Sequence, residues 1–128
     1  MALPRAPRPP KWSVRKDVGG GWQDQRVEIA ELSDRVEKVS LRYAEDLGIV
    51  RDGDWLLLKL QEEVGELTQS YLQITGRARD KGSTAVEIRQ DFQQEFADVF
   101  CQLLLLARHF DVDIQREIEL KWLSREID

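Results

Sequence analysis

A chain of 128 residues with net charge −5, 41% hydrophobic and 34% charged residues, has the size of one domain. Its longest plainly apolar run, Leu103 to Ala107, falls far short of the roughly 20 residues a membrane-spanning helix needs, and the N-terminus carries no apolar segment of the secretory kind. The single Cys101 excludes an internal disulfide and suits a reducing cytoplasm, and one cysteine with one histidine makes a poor zinc-ligand set.

All four prolines fall in the first ten residues, and Gly19-Gly20-Gly21 follows. Residues 1–22 are therefore expected to form a basic, extended tail, with the helical domain occupying residues 23–128. The tail holds Arg5, Arg8, Lys11, Arg15 and Lys16 against Asp17, a charge of +4 that leaves −9 on the rest. So acidic a body argues against a nucleic-acid surface.

Beyond the tail, apolar residues step by three or four. Ile29, Leu32, Val36, Val39, Tyr43 and Leu47 predict an amphipathic helix from about Gln23 to Leu47, stopped at Gly48. Asp52-Gly53-Asp54 predicts a turn and N-cap for a second helix reaching Ile74. Its expected seam is Leu57, Leu60, Val64, Leu67, Tyr71 and Ile74, with Lys59, Glu63, Glu66 and Ser70 alongside. The polar, glycine-bracketed stretch 75–84 reads as a loop carrying Arg77, Arg79 and Lys81. Thr84 with Glu87 has the spacing of a capping box. It opens a third helix, about Ala85 to Phe110, whose seam holds Phe92, Phe96, Val99, Leu103 and Phe110. Asp91, Glu95, Asp98 and Gln102 run beside that seam. Asp111 and Asp113 are turn and cap candidates before a fourth helix, Ile114 to Ile127. Nothing alternates with the period of a strand, so the fold class is all-α. The aromatic content of these helices exceeds what a core of this size hides on every side, which predicts a helical oligomer.

Two acid pairs stand out, Glu63 with Glu66 and Glu95 with Asp98. Carboxylates three apart share a helix face. Packed face to face, two such helices gather four carboxylates, and desolvated like charges at one spot call for a cation. An all-oxygen set suits Mg²⁺, Mn²⁺ or Ca²⁺, and Mg²⁺ commonly binds substrate phosphates alongside a few carboxylates. The same residues also suit the solvated face of an acidic helix, and residue pattern alone leaves both readings open.

The string Lys59-Leu60-Gln61-Glu62-Glu63-Val64-Gly65-Glu66-Leu67, followed by Glu95-Phe96-Ala97-Asp98-Val99, resembles the EExxE…ExxD pattern of the MazG-like nucleotide pyrophosphohydrolases. The resemblance covers roughly residues 25–125. It implies a four-helix core of the all-α NTP pyrophosphatase type, assembled as a homodimer or homotetramer. It also implies Mg²⁺-dependent hydrolysis of a nucleoside triphosphate to the monophosphate and pyrophosphate, with Mn²⁺ as a substitute ion and clearance of noncanonical or surplus deoxynucleotides as a role. Carried over by position, Glu63, Glu66, Glu95 and Asp98 are the implied metal ligands. Glu62 is implied as a water-orienting group, with Glu62 and Glu63 the candidate proton acceptors. Lys121 matches a C-terminal lysine that meets phosphate; Arg125 stands where the family often has asparagine. Lys59 and Arg125 join Lys121 as candidate phosphate contacts on charge grounds. Two alternatives stand beside this reading: phosphoribosyl-ATP pyrophosphohydrolase, which shares a related acidic helical pattern, and a non-catalytic helical interaction module whose acids bind a partner or a structural cation.

Overall fold

The computed structural model describes residues 28–127. The expected tail, residues 1–22, and the first residues of the expected first helix, 23–27, lie outside the described residues. Within them the chain is helical with no strand: α1 Ile29–Leu47, α2 Gly53–Ile74, α3 Ala85–His109, α4 Ile114–Lys121 and a closing 3₁₀ turn, Leu123–Arg125. None of these helices is long and apolar enough to cross a membrane.

Local chemistry sets the boundaries. α1 ends at Gly48, whose φ of 63° is left-handed and whose N–H reaches back to the carbonyls of Ala44 and Glu45; glycine adopts this conformation without a Cβ clash. The Asp52 carboxylate accepts the Trp55 N–H at 2.8 Å and starts α2. Thr84 and Glu87 form the reciprocal capping box of α3. Asp111 takes a left-handed φ of 54°, and Asp113 caps α4 by accepting the Arg116 N–H. α4 is shorter than its apolar period suggests, because the chain tightens into the 3₁₀ turn after Trp122.

α2 and α3 provide most of the packing; α1 lies on α3, and α4 meets chiefly the 3₁₀ turn. The α2–α3 pair is an antiparallel hairpin. Its open end sets Gly53 against Phe110, where a Cβ on the glycine would stand 3.0 Å from the ring. Midway along, Glu63 meets Glu95. α1 is tied down by Arg51, which donates to both Glu37 oxygens and to Ser40, and by Arg108, which donates to Asp34. The Arg51 hydrogen bond holds the Glu37 carboxyl below its ordinary value.

The seams expected to form the core only partly do so. The buried apolar residues are Ala44, Leu56, Leu104 and Leu105. Leu57, Val64 and Tyr71 of α2 and Phe96, Leu103 and Phe110 of α3 are exposed. What lies between the two helices instead includes the polar stripe, with Ser70 and Glu95 both buried. Periodicity finds a helix's apolar arc; which edge of that arc meets the neighbouring helix depends on how the pair rotates about its axes.

Candidate metal centre

Glu63 and Glu66 stand one turn apart on α2, and Glu95 faces them from α3. Each offers a carboxylate oxygen, and these atoms lie within 4.8 Å of one another. Glu95 is 6% exposed, and Glu63 and Glu66 are half-buried. One oxygen of Glu63, Oε2, is fully enclosed and has no hydrogen-bond partner.

The electrostatics follow from this crowding. The Glu63 carboxyl is pushed up to about 7 from its ordinary 4.5. Burial is the largest cause, followed by repulsion from Glu66, Asp98 and Glu95, while Lys59 opposes the rise. A group shifted by desolvation and like charge ionises readily only if positive charge arrives.

Asp98 was expected among the ligands. It is exposed and lies outside the three-carboxylate group, though near enough to raise Glu63 and the half-buried Cys101 thiol. The reason is angular. One residue turns a helix by about 100°, so position 98 sits about 60° round from position 95 and points to the flank of the hairpin, where Glu95 points inward.

Lys59 sits one turn before Glu63, its side chain largely enclosed. Its ammonium meets Glu62 at 3.1 Å and lies 6.0 Å from the Trp55 ring centre. Glu62 is thereby held by a cation on its own helix. Lys121 and Arg125 are exposed, on α4 and the 3₁₀ turn, and neither is among the charges that act on Glu63. The structure groups Glu63, Glu66 and Glu95, sets Asp98, Lys59 and Glu62 around them, and leaves Lys121 and Arg125 apart.

One further residue belongs to this interface. Gln102, two turns after Glu95, has its Oε1 buried without a hydrogen-bond partner. Its place in the polar stripe of α3 was legible; that the stripe would be buried was not.

The chain matches no protein-family model, no curated protein and no solved structure.

The donor set suits a hard divalent cation. It is all oxygen and anionic, and the enclosed Glu63 oxygen is the atom an ion would satisfy. Asp98, at the rim, is placed to receive a metal-bound water or a ligand through a rotamer change.

Proposed function

We propose that Glu63, Glu66 and Glu95 hold a divalent cation, Mg²⁺ or Mn²⁺, with Asp98 at the edge of the site, and that the chain is a nucleoside triphosphate pyrophosphohydrolase. The observation that carries the reading is the gathering of three carboxylates, one of them buried, around an enclosed Glu63 oxygen that burial and like charge keep hard to ionise. The EExxE…ExxD pattern of the sequence supplies the reaction class.

A bound Mg²⁺ supplies charge for the phosphates and lowers the pKa of a coordinated water. The chain's own groups do the rest. Glu62 or Glu63 takes the proton of the attacking water as its oxygen bonds to the α-phosphorus. The bond from that phosphorus to the bridging oxygen breaks, and pyrophosphate leaves with the electron pair. Lys59, held over Trp55 and against Glu62, is the cation nearest the carboxylates for the developing negative charge. Cys101 as a free thiol and a nucleotide substrate both accord with a cytoplasmic protein.

The test is a panel of ribo- and deoxynucleoside triphosphates with Mg²⁺, read by pyrophosphate and monophosphate release, alongside calorimetric Mn²⁺ binding. Release that stops with a chelator and with Glu63→Gln supports the proposal. Mn²⁺ binding without release from any nucleotide reduces the site to a structural cation in an interaction module. Neither binding nor release overturns both.

A further inference from the structure

The α2–α3 hairpin has two flanks, and they differ. Counting about 100° per residue, Leu57, Val64 and Tyr71 lie about 80–120° round α2 from Glu63, in the ascending sense. Phe96, Leu103 and Phe110 lie about 60–100° round α3 from Glu95 in that same sense, with Phe100 a little farther. In two right-handed helices that face each other antiparallel, positions displaced in the same sense open on the same side. Glu66 and Asp98 are displaced about 60° the other way. One flank is therefore acidic and bears the mouth of the carboxylate site, and the other is apolar.

The apolar flank is uncovered. α1 packs near Leu104, Leu105 and Arg108, positions on the far side of α3. Tyr71, Phe96, Phe100 and Phe110 are 40–63% exposed. At roughly 200 Å² per aromatic side chain, they present about 400 Å². Leu57, Val64 and Leu103 bring the flank above about 600 Å², close to the roughly 800 Å² per partner of a standard interface. Between Phe92 and Phe110 on α3, and between Gly53 and Tyr71 on α2, this flank carries no charged residue. The nearest cation, Arg89, lies at its end against Phe92.

We propose that this flank is where two copies of the chain associate, about a two-fold axis, with the carboxylate mouths facing outward. A two-fold axis sets each face against itself, which a charge-free face allows without like-charge contact. Four buried apolar residues in one chain leave the rest of the core to be completed by the second copy. The proposal stands independently of the metal reading.

Sedimentation of the full chain at about 10 μM should give twice the 14.9 kDa of one copy, or an even multiple. Phe96→Asp and Val64→Lys should each halve that mass, with helicity checked by circular dichroism. Val39→Asp, on the exposed face of α1, should leave it unchanged. Should the charged variants fail to fold, Tyr71→Gln, at the edge of the flank, should raise the dissociation constant about tenfold or more. A monomeric parent chain overturns the proposal. It gives the face to the N-terminal tail if removing residues 1–20 makes the chain associate, and to a different protein if it does not. An assembly unmoved by all three flank variants, or dissolved by Val39→Asp alone, also overturns it.

Discussion

Glu63 is the residue on which the site turns. Its carboxyl is raised to about 7 from 4.5, so the folded state holds a proton that the unfolded chain releases. Without metal, the folded state binds more protons than the unfolded between those values, and stability falls as pH rises from about 4.5 to about 7. The melting temperature of the metal-free chain should therefore decline across that window and level off above it. Glu63→Gln, which cannot ionise, should flatten the decline and melt at or above the parent near pH 7.5. Mg²⁺ acts in the opposite sense. It needs the carboxylate form, so the rise in melting temperature on adding Mg²⁺ should grow with pH. In the same variant, Mn²⁺ affinity should drop by at least the roughly 10–100-fold that even outer-shell substitutions cost, and hydrolysis should cease. Parent-level hydrolysis in Glu63→Gln would remove it from the ligand set. Asp98→Asn, at the exposed rim, should keep most of the Mn²⁺ affinity while lowering turnover. A loss of binding equal to that of Glu63→Gln would place Asp98 among the direct ligands.

At the scale of elements, the carboxylates meet because α2 and α3 start and pair in the right register. Thr84 and Glu87 satisfy each other's end of α3. Thr84→Ala should cost about 1 kcal/mol in urea unfolding, with little change in the metal affinity of the folded chain, since the cap is nearly three turns from Glu95. Gly48→Ala forces a Cβ into left-handed backbone and should cost about 1 kcal/mol as well. These boundaries were legible because capping is local: one side chain answers one backbone N–H within a few residues. The rotation of the hairpin was not. The sequence shows an apolar arc with acids at its edge; only the packed pair shows the acid edge turned inward and half the arc turned out.

For the whole molecule, the exposed flank makes stability a matter of concentration. Anything that binds only the folded state raises its apparent stability, so the melting temperature of the parent chain should rise with protein concentration and that of Phe96→Asp should not. The basic tail lies apart from this account. A chain beginning at Gly21 should keep its Mn²⁺ affinity and hydrolytic rate at saturating Mg²⁺ and substrate, because the residues that gather at the site all come from α2 and α3. Lost activity in that chain would make the tail part of the site; altered mass with activity kept would make it an assembly arm.

What the sequence determined by itself is what local spacing controls: four helices, the stop at Gly48, the caps at Asp52, Thr84 and Asp113, and acids three apart on two successive helices. The tertiary structure decided three things. It grouped Glu63, Glu66 and Glu95 while leaving Asp98 at the rim, because a turn of about 60° on α3 separates an inward from a flanking position. It kept Lys121 and Arg125 away from the carboxylates, because α4 packs chiefly on the turn that follows it. It also buried a polar stripe between α2 and α3 and exposed an apolar one. Helical periodicity specifies which residues share a face, and only the packing of one helix against another specifies which face is inside.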